Sequence, residues 1–170
     1  MNIAKQIEKN QRYRLMFKTI VFGFLLLFCA NSYAKGNYHV EVIIFKQLSS
    51  SPGSIAPTVI DAPNFAKTWA ANTAYLNNQA AKIRSSGKYQ IISHTAWGQA
   101  SAPYNQSAAM SFSNNGLTGY IKVFARQLLV TNLQLNFEGH ELNERRRLKL
   151  NEVHYFDNEG FGVLMRVSRL

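Results

Sequence analysis

The stretch YHVEVIIFKQ, Tyr38 to Gln47, places Val40, Val42 and Ile44 on one side of an extended chain and Glu41, Ile43 and Phe45 on the other. Side chains alternate across a strand, so apolar residues on both sides predict a strand covered from above and below. Any sheet built on it needs two packing layers. Downstream, Leu48 to Pro63 (LSSSPGSIAPTVIDAP) holds turn formers and no apolar period, which reads as a loop. Asn64 is then a candidate cap for a helical stretch carrying Phe65, Trp69, Tyr75, Leu76, Ala80 and Ile83, best defined from Ala71 to Ser85. Gly87 stands where a left-handed C-terminal cap would end it.

KYQIISHTAWGQ, Lys88 to Gln99, reads as the second strand. Ala100 to Asn115 is small and polar and predicts a long mobile connection that ends at Gly116. From Leu117 to Phe137 the chain is strand-like, with Leu129, Leu133, Leu135 and Phe137 alternating against Asn132, Gln134 and Asn136. Strands seldom exceed about 10 residues, so a bend or tight turn is expected near Ala125 and Arg126. Glu138, Gly139 and His140 mark the next turn. Glu144 to Phe156 and Gly160 to Leu170 then flank a short turn at Asp157 to Glu159 and predict a C-terminal β-hairpin.

This order predicts an α+β domain: a mostly antiparallel sheet of about five to six strands with one main helix packed on it. A strand-helix-strand crossover normally joins parallel strands, so the sheet is expected to be mixed. The length of 170 residues suits one such domain preceded by a targeting segment.

Residues 1–34 have the form of that segment. Lys5, Lys9, Arg12, Arg14 and Lys18 precede an uninterrupted apolar run from Thr19 to Ala30, and Ser32 and Ala34 supply small residues at the cleavage subsites. The pattern predicts a secretory signal peptide cleaved after Ala34 and a single periplasmic domain at 35–170. A run of 12 apolar residues is short of the roughly 20 that span a bilayer, which argues against a retained anchor. Cys29, the one cysteine, lies inside the run, so the mature chain would hold no disulfide. The whole chain carries +10, and removing residues 1–34 leaves 14 basic and 8 acidic side chains. Such a balance favours acidic partners, and export disfavours nucleic acid.

Catalytic patterns are missing. His39, His94, His140 and His154 show no ligand spacing for a metal, no serine sits in a nucleophile elbow, and no glycine-rich phosphate loop precedes a helix. His94 and His154 read as packed or hydrogen-bonded histidines, and Glu152 and Asp157 as salt-bridging carboxylates rather than an acid-base pair. The expectation is a non-enzyme without cofactor or metal. The densest charge is Arg145, Arg146, Arg147 and Lys149, which on a strand puts Arg145, Arg147 and Lys149 on one face. That stripe could hold an anionic polymer through two-point arginine contacts, or be a solvated edge that discourages aggregation. Sugar rings stack on aromatic faces, and Trp97 and Tyr104, beside the expected mobile connection, are the candidates for an exposed platform, with Gln99 and Asn105 as hydrogen-bonding neighbours.

Three segments together, YHVEVIIFKQ, SGKYQIISHTAWGQ and ERRRLKLNEVHYFDNEGFGVLMRV, resemble the CsiV family of periplasmic peptidoglycan-binding proteins. The most specific part is the arginine run followed by Glu152, His154, Tyr155, Asp157, Phe161 and Gly162; Tyr89, His94 and Trp97 form a second match. The resemblance implies a non-catalytic envelope protein that binds peptidoglycan and supports cell-wall assembly with a class A penicillin-binding protein and its outer-membrane lipoprotein activator. It transfers no ligand residues. Where the family has His and Pro after the hairpin Asp, this chain has Asn158 and Glu159. The alternative is an envelope protein-protein interaction module that does not touch the wall.

Overall fold

The two-faced strand that carries Glu41 lies at the middle of a five-stranded sheet. The structure, a computed structural model, describes residues 36–49, 53 and 67–170. The expected signal peptide and its cleavage site, the Asn64 cap and most of the Leu48–Pro63 loop lie outside those residues. Among the described residues there are nine strands, β1 (Asn37–Gln47), β2 (Trp69–Ala70), β3 (Tyr89–Ala100), β4 (Ala109–Asn114), β5 (Leu117–Ala125), β6 (Leu129–Phe137), β7 (His140–Arg147), β8 (Val153–Asp157) and β9 (Phe161–Arg169), and one helix, α1 (Asn77–Ser85). The α+β class and the mostly antiparallel pairing stand as expected.

The strands form two sheets rather than one, a five-stranded sheet in the order β2-β3-β1-β9-β8 and a four-stranded sheet in the order β4-β5-β6-β7. Val40, Val42 and Ile44 of β1 face the second sheet and share a dry core with Trp97, Ile121, Val123, Leu133, Leu135, Phe156, Val163 and Met165. On the other side of β1, Ile43 and Phe45 pack beneath Leu76, Ala80 and Ile83. The predicted two-sided cover is therefore a sheet on one side and a helix on the other, a layered arrangement that buries both faces of the central strand.

The expected parallel crossover is corrected: β1 and β3 pair antiparallel, with Asn37 opposite Ala100 and Gln47 opposite Tyr89. The reason is that the chain travels the length of the sheet twice between them. By Trp69 it has returned to the beginning of β1, where Trp69 and His39 both flank Gly98. Helix α1 then starts over Glu41 and ends beside Gln47, where the Leu48 N–H donates to the Lys88 carbonyl at 2.9 Å. The helix itself is shorter than its apolar period suggested, since Trp69 and Ala70 form β2 instead. Its end matches expectation, with Gly87 at φ +65 in the left-handed region that suits glycine after a helix.

Two further expectations change. The supposed mobile connection contains β4, in which Met110 and Phe112 alternate with Ser111 and Ser113 and pair with β5. The predicted strand Glu144–Phe156 is two strands in different sheets. Leu148 still donates to the Leu129 carbonyl of the second sheet at 2.9 Å, and Asn151 already donates to the Val167 carbonyl of the first at 2.8 Å. Leu148 is buried and Leu150 packs on the same core, so these two residues draw the chain across the sandwich, and Asn151 turns it with φ 64. The bend between β5 and β6 and the β8-β9 hairpin fall where the sequence places them.

Candidate functional site

The arginine run ends where the sandwich is crossed, and this sets the site. Because β7 stops at Arg147, Lys149 belongs to the crossover and not to a strand face, and the expected three-cation stripe is split. Arg145 points onto the outer face of the four-stranded sheet. Its guanidinium lies 5.6 Å from the centroid of Tyr104 and 5.1 Å from that of Phe124, and Lys122 sits 4.5 Å from the same Tyr104 ring. Tyr104 and Phe124 meet edge-on at 5.0 Å. Tyr104 is exposed, as expected, but its ring already serves two cations. Burial pushes the Lys122 amine below its ordinary value, and burial with the neighbouring Tyr104 pushes the Tyr120 hydroxyl above its own.

Arg146 turns the other way. It donates to Glu144 at 2.7 Å and to the Tyr155 carbonyl at 2.8 Å, and covers the Phe156 ring at 4.5 Å. It ties the edge of one sheet to the edge of the other and is spent in doing so.

Arg147 and Lys149 come together in an open cleft of about 330 Å³ at the end of the sandwich. Arg126 from the β5-β6 turn and Arg169 from the end of β9 complete it, with Tyr38 and Leu128 among the remaining lining residues. Four cations from four separate segments converge there, and no acidic side chain lines it. Lys149 also meets Glu152 at 3.5 Å, an exposed contact that competes weakly with an anionic ligand. The charge run in the sequence shows two of these four residues; Arg126 and Arg169 lie outside that run, and only the folded turn and the last strand bring them in.

Trp97 is a correction. It is fully buried between the sheets, its indole N–H donates to Gln99 at 2.9 Å, and the Gln99 amide donates to the Val123 carbonyl at 2.7 Å. This chain links the sheets through the core, so neither residue is available to a ligand. The reason is register: Trp97 pairs with Val40 on the inward face of β1, whereas its neighbours Ala96 and Gly98 face outward.

His94 is the hydrogen-bonded histidine the sequence suggests. Its Nε2 pairs at 2.8 Å with Oε1 of Glu41, which also accepts from the Leu76 N–H at 3.1 Å, while Oε2 accepts from Tyr75 at 2.7 Å and Ala74 at 3.2 Å. Burial alone would push the Glu41 carboxyl up; the bonds from His94 and the three backbone N–H groups outweigh it and hold the carboxyl below its ordinary 4.5. A strand carboxylate thereby caps a helix whose own N-cap, Leu76, has no side-chain bond to offer. Among the described residues, no three His, Cys, Asp or Glu side chains gather as metal ligands. Comparison with protein-family models, with curated proteins and with solved structures returned no match.

Proposed function

We propose that the protein is a non-catalytic peptidoglycan-binding module of the periplasm, exported by residues 1–34, that supports cell-wall assembly. The observation that carries this reading is the cleft in which Arg126, Arg147, Lys149 and Arg169 converge without an acidic side chain. Arginine forks bind carboxylates in two-point fashion, and the peptides of a wall mesh present carboxylates repeatedly, so weak contacts at one cleft gain from many copies of the ligand. The resemblance to the CsiV family supports the same reading and adds a class A penicillin-binding protein and its lipoprotein activator as partners. No cofactor enters the account.

The test is cosedimentation of the purified protein with sacculi across a salt series, beside a folded basic control protein. Saturable binding above the control that weakens with salt supports the reading; retention equal to the control refutes it. A second reading, a protein-docking module without wall contact, is favoured by the edge of β3. Among the described residues, β2 covers only Trp97 and Gly98, leaving Tyr89 to Ala96 with β1 as the sole partner strand. Such an edge can accept an added strand. Crosslinking in cells from β3, with one protein captured and no wall binding, would establish it.

A further inference from the structure

Among the described residues, the outer face of the five-stranded sheet is only partly covered. Helix α1 has nine residues and packs through Leu76, Ala80 and Ile83 on Ile43, Phe45 and Ile91. Leu164 of β9 packs against the same cluster, and beyond it β8 carries Tyr155 opposite Leu164 and Val153 opposite Arg166 on that face. Tyr155 is 48% exposed and Val153 42%, and Tyr89 and Tyr75 at the margins are 38% and 43% exposed. Four of the molecule's exposed large apolar side chains thus edge one surface, which is how an interaction site differs from scattered exposure.

Its chemistry is specific. Tyr155 lies nearly parallel to Phe45, 16° apart with centroids at 6.4 Å, and Tyr89 meets Phe45 edge-on at 5.5 Å. Gly162 sits between the first two: a Cβ there would lie 2.8 Å from the Phe45 ring and 3.0 Å from the Tyr155 ring. The glycine therefore lets the rings close over the sheet. Arg166, half-buried, lies with its guanidinium over the Tyr75 ring at 4.6 Å; its Nε is buried, which leaves the terminal guanidinium nitrogens to meet a ligand. Aromatic faces packed on one another beside a guanidinium suit an amphipathic ring, whose C–H face stacks while its substituent oxygens accept hydrogen bonds. A hydrocarbon-faced helix would use neither the hydroxyl-bearing rings nor the guanidinium.

We infer that this partly covered face is a glycan platform, on which Tyr155 and Tyr89 stack against pyranose rings and Arg166 donates to an acetamido or carboxylate oxygen. The ligand class rests on the wall-binding reading above; the location does not depend on the basic cleft. The Tyr89 and Tyr155 rings both contact Phe45, with centroids 5.5 and 6.4 Å from its own, so one short oligosaccharide can reach both.

The experiment is an NMR titration of the protein with chitohexaose, an uncharged N-acetylglucosamine oligomer, run beside sacculus retention. Shifts are expected at Tyr89, Gly162 and Val153 to Asp157. Tyr155→Ala is expected to weaken chitohexaose binding at least tenfold and Tyr155→Phe less than threefold, while Arg147→Ala with Lys149→Ala leaves it unchanged. Mapping on the wild-type protein needs no variant to fold. Shifts elsewhere, or none, overturn the platform, and continued retention on sacculi would then leave the wall reading resting on the cleft. Platform shifts without retention on sacculi support the platform and overturn the wall reading. Capture of a protein partner at Tyr155 with no response to the sugar overturns the platform in favour of protein docking.

Discussion

Replacing Glu41 by Gln isolates one carboxylate that the fold relies on. The fully buried side chain accepts four hydrogen bonds, from His94 and from the N–H groups of Ala74, Tyr75 and Leu76. The amide keeps one accepting oxygen and turns an NH2 group toward donors, so about two charge-assisted bonds are lost, each worth roughly 1.5 kcal/mol. A destabilisation of about 3 kcal/mol is expected, or roughly 10 °C in Tm for a domain of this size. The pH dependence gives an independent check. A carboxyl held below its ordinary 4.5 in the folded state contributes stability that is complete above that value and is lost as pH falls through the lowered one. Thermal melts of the two proteins should therefore differ most near neutral pH and converge in acid. Melts within about 2 °C of each other at pH 7, or a gap that persists undiminished near pH 3, would refute the capping argument.

Three other outcomes follow from the geometry. Trp97→Phe should cost about 2 kcal/mol in urea denaturation, because the Gln99 oxygen loses its buried donor, while the folded fraction keeps its sacculus binding; lost binding in a folded variant would return Trp97 to the ligand site. Gly162→Ala should destabilise by about 1–2 kcal/mol, since the new methyl displaces the Phe45 and Tyr155 rings, and a neutral melt would show that those rings do not close over the glycine. Arg126→Ala with Arg147→Ala should leave Tm within a degree or two, both residues being exposed, yet weaken retention on sacculi and flatten its salt dependence. Unchanged retention in that variant would remove the cleft from the account.

How far the sequence reaches can be seen in particular residues. Tyr38–Gln47 is legible because its short apolar run is rich in β-branched residues, and Gly87 is legible because the left-handed backbone there favours glycine. The number of sheets is not legible. Leu148 and Leu150 continue the alternation of the arginine run, so nothing local distinguishes a long strand from a chain changing sheets; only the burial of those leucines in the core between the sheets decides it. The antiparallel pairing of β1 and β3 is hidden for a similar reason, since a turn-rich loop does not record how far it carries the chain. At the site, local charge density points to Arg147 and Lys149, whereas Arg126 and Arg169 arrive through topology. The aromatic reading chose Trp97 and Tyr104 by their neighbours in sequence. Tyr155 and Tyr89 meet around Phe45 only after strands distant in the chain become adjacent.

Wall binding is the claim on which the cleft and the platform both bear, and sacculus cosedimentation across a salt series measures it directly. Wall binding through the cleft requires saturable retention above a matched basic control, reduced by salt and by removal of Arg126 and Arg147. Retention that never exceeds the control at any salt concentration would contradict it.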